Sequence, residues 1–198
     1  RVLVCNHASW FDPPLLGAVS PGPVRFVLKH ELIHLPFIGW HAWLTGHFLI
    51  DREDPRAGMA LLARAVAYMK RNPVNAVVFP EGTRTPDGTT HAFAAGLMLL
   101  IRRAQPRVVP VAVQGAFAVW PRTRRLPRLF GRTAAMYGQP IEAQELVGVE
   151  ADAALEFRSR VIEIHDSALH TLETLEGAAD QFLAGLGQHL DGDAVGNP

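Results

Sequence analysis

Cysteine is nearly missing from this chain. Its single thiol, Cys5, excludes an internal disulfide framework and is compatible with a reducing compartment. Lying in an apolar run, Cys5 reads as a buried structural thiol. Also missing is any uninterrupted apolar run of the ~18 residues that a membrane-crossing helix takes, and no secretory signal pattern is visible. Net charge is absent, with 19 Lys and Arg against 19 Asp and Glu, and no nucleic-acid partner is expected. A charged fraction of 19% beside a hydrophobic fraction of 48% excludes a disordered chain. The sequence starts at Arg1, without a methionine and already inside an apolar run. The expectation is a fragment, with any N-terminal membrane anchor preceding Arg1.

Acid is missing locally. Residues 1–87 carry 9 basic and 7 acidic side chains, residues 88–141 carry 8 Arg and no acid, and residues 142–198 carry 2 Arg and 12 acids. The middle block concentrates its arginines between Arg122 and Arg132, interleaved with Leu126, Leu129 and Phe130 and preceded by Trp120. Basic groups mixed with apolar ones suit a membrane surface or an acidic carrier protein. The alternative is an exposed loop paired with the acidic C-terminal part.

What is present is an alternation of apolar runs and amphipathic stretches. Val2–Cys5, Val24–Leu28, Phe48–Ile50, Ala76–Phe79, Val108–Val113 and Ala134–Tyr137 read as strands. Several are too apolar to alternate, as parallel strands are. Helices are expected from Asp12 to about Val19, from His30 to about Leu44, over Arg56–Arg71 and over Ala94–Arg103. Asp12 is expected to cap the first of these, with Pro13 in its first turn. Between residues 152 and 186, Leu155, Ile162, Leu169, Leu172 and Leu175 mark a helical stripe. The pattern implies an α/β fold, a mostly parallel sheet flanked by helices. One domain is expected over residues 1–186, with a flexible tail over residues 187–198.

Two strand ends carry chemistry. Asn6-His7-Ala8-Ser9-Trp10-Phe11-Asp12 follows the first strand, and Phe79-Pro80-Glu81-Gly82-Thr83-Arg84 ends another. In an open α/β sheet, ligands bind outside the carboxyl ends of the strands. His7 offers a general base, its reference pKa being about 6.5, and Asp12 a carboxylate to orient it. The alternative, taken alone, is that Asp12 caps a helix and His7 merely packs. Arg84 offers a cation beside a glycine that lets the backbone come close. No Gly-x-Ser-x-Gly elbow exists, which leaves an acyl-serine route unsupported.

Those segments resemble the first and third motifs of the glycerolipid acyltransferases, the family of 1-acylglycerol-3-phosphate acyltransferases. Lys29-His30-Glu31-Leu32 with Pro36, Gly39 and Trp40 is similar to the family's Lys-x-Glu-Leu stretch. Gly46 to Arg52 resembles its second motif, and Val108–Val113, around Pro110, its fourth. One departure stands out: the lysines of the family's Phe-Lys-Lys-Gly segment are replaced by Ala94 and Ala95. The resemblance implies a glycerol-3-phosphate acyltransferase-like fold and acyl transfer from acyl-CoA or acyl carrier protein to the hydroxyl of a lysophospholipid. It makes 1-acylglycerol-3-phosphate the first choice of acceptor and another lysolipid the alternative. It also implies direct attack by that hydroxyl, with His7 as base and Asp12 as its partner. Lys29, Arg52 and Arg84 would hold the phosphate, and Gly82 and Thr83 would shape the site. Glu81 is expected to orient Arg84 or a turn amide. No cofactor is expected, and the protein is expected at the cytoplasmic face of a membrane.

A competing motif lies in the same region. His30-Glu31-Leu32-Ile33-His34 matches the His-Glu-x-x-His helix of zinc hydrolases. Pro36 follows closely and is expected to end or kink that helix. His41, as a third ligand, does not have the spacing of the extended zinc motif, and no metal site is expected.

Overall fold

The structure is a computed structural model, and it describes residues 1–36, 38–51, 55–93, 96–147, 159–164, 166, 167, 170 and 174. Arg52, Ala94, Ala95, most of the expected C-terminal stripe and the tail from Gly187 lie outside the described residues. The elements run β1 (Val2–Cys5), α1 (Asp12–Val19), β2 (Val24–Lys29), a 3₁₀ turn (His30–His34), α2 (Ile38–Thr45), β3 (Phe48–Ile50) and α3 (Pro55–Arg71). They continue β4 (Asn75–Val78), α4 (Gly96–Ala104), β5 (Val108–Gln114), α5 (Ala116–Val119), β6 (Ala134–Tyr137) and α6 (Ala143–Val147). The expected fold class holds. Six strands form one sheet in the order β3-β2-β4-β1-β5-β6, parallel throughout except for β6 against β5.

β1 lies at the centre of this sheet, and all four of its residues are buried. Its period of two divides the core. Val2 and Val4 face Phe48, Ala65, Leu97 and Ile101, while Leu3 and Cys5 face Leu16, Phe26, Val77 and Val111. Both faces are therefore covered, which is why the strand reads as a continuous apolar run. Each fully buried Val or Leu contributes about 1.5–3 kcal/mol relative to exposure.

Pro110, inside a central strand, breaks the usual rule against proline there. Val108 exchanges both backbone bonds with Ile141, at 2.9 and 2.7 Å, so residues 108 and 110 point their N–H side away from β1. β6 pairs only with residues 111–114 and ends at Tyr137. The missing donor of Pro110 thus falls where the ladder has already stopped. Its carbonyl still accepts from Gly138 N at 2.8 Å.

One expectation changes. The helical stretch from His30 to Leu44 is broken in two, and the break has a covalent cause. The residue before a proline is pushed out of the helical region, and Leu35, before Pro36, is extended at φ −80°, ψ 126°. α2 then folds back on the 3₁₀ turn so closely that a Cβ on Gly39 would meet the Ile33 carbonyl oxygen at 1.9 Å.

His47, just before β3, accepts a bond from Phe26 N at 3.4 Å through Nδ1 and packs edge-on to the Phe26 ring. Burial, with help from His41 and Arg25, depresses its pKa to about 4. The folded state therefore resists a proton that the unfolded chain takes up near pH 6.5. Stability should fall as pH drops from about 6.5 toward 4 and level off below. Thermal unfolding across that window should show a flatter slope in His47→Gln than in the parent.

Candidate active site

The carboxyl ends of β1, β4 and β2 lie side by side, and His7, Asp12, Lys29, Glu81, Thr83 and Arg84 end or follow these three strands. At the end of β1 the backbone leaves the sheet, and a side chain replaces it. Asn6 Oδ1 accepts from Val113 N at 2.8 Å, and Asn6 Nδ2 donates to Val113 O at 3.0 Å. An amide side chain mimics a peptide unit, so the ladder gains one more rung while the chain turns away.

The turn closes on Asp12. Its Oδ2 accepts from Ala8 N at 2.8 Å, from Ser9 N at 2.7 Å and from His7 Nδ1 at 2.8 Å. Asp12 is fully buried, while the His7 side chain keeps 17% of its surface exposed. Asp12 was expected as the helix cap, and this is corrected. Phe11 occupies the cap position with no side-chain cap bond, and Asp12 is the first helical residue. Its carboxylate points backward, into the turn it closes. Because Oδ2 serves only as acceptor, His7 Nδ1 carries the proton and Nε2 presents a lone pair.

The His7 ring is held from the side as well. It stacks on Phe79 with centroids 4.0 Å apart, and Phe79 stacks in turn on Phe26 at 6.3 Å. The three rings step across β1, β4 and β2. Packing and catalytic placement were alternatives for His7 in the sequence; here the packed ring is also bonded to Asp12, so the two do not exclude each other. His7 O also accepts from Thr85 N at 2.9 Å, which ties the two motif loops together.

Arg84 arrives on the loop after β4, where Gly82 takes the left-handed conformation at φ +72°. Its guanidinium carbon lies 3.3 Å from the centroid of the Trp10 ring, a cation–π arrangement. Arg122 Nη1 donates to Arg84 O at 3.3 Å. Burial, and then the nearby Arg122 charge, push the Arg84 pKa down, and Asp12 acts the other way. Two cations held this close favour an anion between or beside them. Neither Trp10 nor Arg122 was singled out for the site in the sequence. Trp10 lies inside the His-x-x-x-x-Asp spacing, which was the available signal. Arg122 is one of several like arginines, and nothing local marks it.

The remaining sites fall as follows. Lys29 ends β2 on the same sheet edge and pairs with Glu31 at 2.6 Å, both about half exposed. Thr83 is exposed beside Gly82, and Glu81 lies close enough to raise the Cys5 pKa. Burial first, then Asp12 and Glu81, hold the Cys5 thiol well above its usual range, so it is no nucleophile. Ser9 is fully buried, its hydroxyl donating to Trp120 O at 2.7 Å and accepting from Phe11 N at 2.9 Å. His30 and His34 occupy a 3₁₀ turn with ring centroids 6.2 Å apart. The zinc motif needs an α-helix, where residues four apart share a face; at three residues per turn they diverge.

Residues 1–114 match the family model described as Acyltransferase. A 1-acyl-sn-glycerol-3-phosphate acyltransferase of Limnanthes alba is 30% identical over 119 residues, covering 60% of this chain and 42% of that protein. One from Saccharomyces cerevisiae is 32% identical over 114 residues, 57% of this chain and 38% of its own length. One from Pseudomonas aeruginosa is 32% identical over 121 residues, with coverages of 61% and 46%. The chain thus spans less than half the length of these curated relatives. The crystal structure of the 1-acyl-sn-glycerophosphate (LPA) acyltransferase PlsC from Thermotoga maritima has the same fold. It superposes with a TM-score of 0.66 over 86% of this chain and 65% of that one, at 24% identity.

Removing the Asp12 carboxylate would strand two buried amides and a ring N–H at once. Asp12→Ala should cost about 3–5 kcal/mol in urea unfolding. Asp12→Asn, which keeps an acceptor, should cost less. A loss in Asp12→Ala of under about 1 kcal/mol, within the usual worth of one hydrogen bond, would show that the turn does not depend on this side chain.

Proposed function

The chain belongs to the acyltransferase family, and on that premise we propose that it moves a fatty acyl group from a thioester, acyl-CoA or acyl carrier protein, to the free hydroxyl of a lysophospholipid. The proposed acceptor is 1-acylglycerol-3-phosphate, giving phosphatidic acid, at the cytoplasmic face of a membrane. The observation that carries this reading is the 2.8 Å bond between His7 Nδ1 and Asp12 Oδ2, with a guanidinium on the neighbouring loop. Among the described residues no helix is long and apolar enough to cross a membrane.

The steps balance as follows. The acceptor hydroxyl gives its proton to His7 Nε2 as its oxygen attacks the thioester carbonyl carbon. The Asp12 carboxylate stabilises the imidazolium that forms. The tetrahedral centre then collapses with loss of the carbon–sulfur bond, and the sulfur takes the proton back from His7. No acyl-enzyme is needed. Two properties support direct attack: the Ser9 hydroxyl is committed to a backbone carbonyl, and the Cys5 thiol is buried and kept protonated.

Arg84 is the proposed principal phosphate ligand. Its neighbour Arg122 makes the position favourable for a dianion, and Trp10 keeps the guanidinium plane fixed. Lys29 is proposed to assist from the end of β2, and Arg52, by its motif, from beyond the described residues. The replacement of two family lysines by Ala94 and Ala95 favours a second reading, in which the acceptor carries a headgroup other than bare phosphate.

Thiol release from oleoyl-CoA should require both lysophosphatidic acid and His7. His7→Ala should lower the rate by about 10²–10⁴-fold, and release that survives the substitution overturns the mechanism. Arg84→Ala should raise the KM for the phosphorylated acceptor by about 10–100-fold, the worth of a charge-assisted bond, with a smaller change in kcat. An unchanged KM removes Arg84 from the phosphate site. A lysolipid with a larger headgroup that outcompetes lysophosphatidic acid selects the second reading.

A further inference from the structure

After β5 the chain does not return directly to β6. Residues 115–133 first make an excursion on the sheet edge that carries His7. The base of this excursion is fixed. Gly115, at φ +78°, lets the backbone of Arg132 approach until a Cβ there would lie 2.1 Å from the Arg132 carbonyl oxygen. Trp120 O accepts from Trp10 N at 3.2 Å as well as from the Ser9 hydroxyl, and Arg128 N donates to Val119 O at 2.9 Å. The excursion is thus bonded to the turn between His7 and Asp12, and through Arg122 to the Arg84 loop.

Its tip has the opposite character. Leu126, Leu129 and Phe130 are 76%, 90% and 88% exposed. Interleaved with them in the sequence are Arg124, Arg125, Arg128 and Arg132, all exposed, and no acid occurs anywhere between residues 88 and 141. Large apolar side chains held in water and interspersed with exposed arginines are the composition of an interfacial anchor. We propose that this loop is the surface by which the protein docks on an anionic phospholipid bilayer. The three apolar side chains enter the headgroup layer, and the arginines meet lipid phosphates.

An acidic carrier protein would match the arginines and leave the apolar tip without a partner; a bilayer engages both. Arginine suits the task because its fork binds phosphate oxygens bidentately. Docking in this orientation turns Trp10, Arg84 and His7 toward the lipid, so an acceptor needs only to rise within the leaflet to reach the base. The proposal goes beyond the transfer reading and is tested without it, because docking is measured with no turnover.

The experiment is co-sedimentation of the protein with phosphatidylcholine vesicles, with and without an anionic phospholipid. The parent should bind the anionic vesicles, and added salt should weaken binding. The double substitution Leu129→Asp, Phe130→Asp should reduce binding by about tenfold or more. Its unfolding temperature should match the parent, since both side chains face solvent. Arg124→Gln, Arg125→Gln and Arg128→Gln together should remove the preference for anionic lipid. In a separate Leu129→Trp variant, indole emission should shift to the blue on adding anionic vesicles. Unchanged binding by the Leu129/Phe130 variant, equal binding to neutral vesicles, or no blue shift overturns the proposal. So does a result in which the arginine variants lose an acidic acyl carrier protein while keeping the vesicles.

Discussion

One oxygen atom organises this molecule's working edge. Asp12 Oδ2 accepts from two successive backbone amides and from the His7 ring. Burying a carboxylate is costly unless its hydrogen bonds are remade inside the protein. Here those of Oδ2 are remade by the turn that the carboxylate itself shapes, while Oδ1 is buried without a hydrogen bond among the described residues. The five-residue spacing of His7 and Asp12 is therefore a folding requirement as much as a chemical one. A chain that failed to turn would leave an unbonded charge in the core. The cost that enforces the turn also fixes which ring nitrogen faces outward.

The rest of the edge is assembled by neighbours of that turn, each from a different strand. Asn6 extends the ladder to β5, Thr85 bonds His7 from the β4 loop, and the Phe26–Phe79–His7 stack locks the side facing β2. None of these contacts crosses more than one strand spacing, so the parallel order of the sheet is what allows them. Arg84 is added last in this sense, pressed on Trp10 and crowded by Arg122. A guanidinium in that position is stabilised most by an anion, which the proposed lysophospholipid acceptor would supply in its phosphate.

Much of this was legible in the sequence, for identifiable reasons. β1 and β5 are buried on both faces, and such strands write themselves as unbroken apolar runs. α3 buries one face only, and its apolar residues recur at three and four. The paired motifs marked one edge of the sheet because polar residues at the ends of apolar strands stand out in the sequence. Other features depend on tertiary contact and leave no local trace. Whether Asp12 points forward as a cap or backward to Ala8 and Ser9 is decided by where β1 ends. The split between the 3₁₀ turn and α2 was signalled by Pro36, which sets it at Leu35, but how tightly α2 folds back depends on the close approach of Gly39 to Ile33. The meeting of Arg122 with Arg84 joins residues far apart in sequence, and one arginine in a run of five cannot be told from its neighbours. The match to the family model ends at Gln114, the last residue of β5 and the point where the excursion begins.

That excursion starts and finishes at almost the same point, because Gly115 and Arg132 touch. A loop whose ends already meet is indifferent to its own length: doubling such a segment costs only about 0.6 kcal/mol in closure entropy. The hairpin of β5 and β6 would keep its register whatever was spliced between them. With Trp120 and Arg122 kept for their bonds to Ser9, Trp10 and Arg84, the sheet edge can hold its polar groups constant while the tip beyond them is rewritten. Structurally, this makes the loop an interchangeable cartridge on an invariant body. Descendants of this chain could acquire new destinations by insertion at one place, leaving the chemistry untouched.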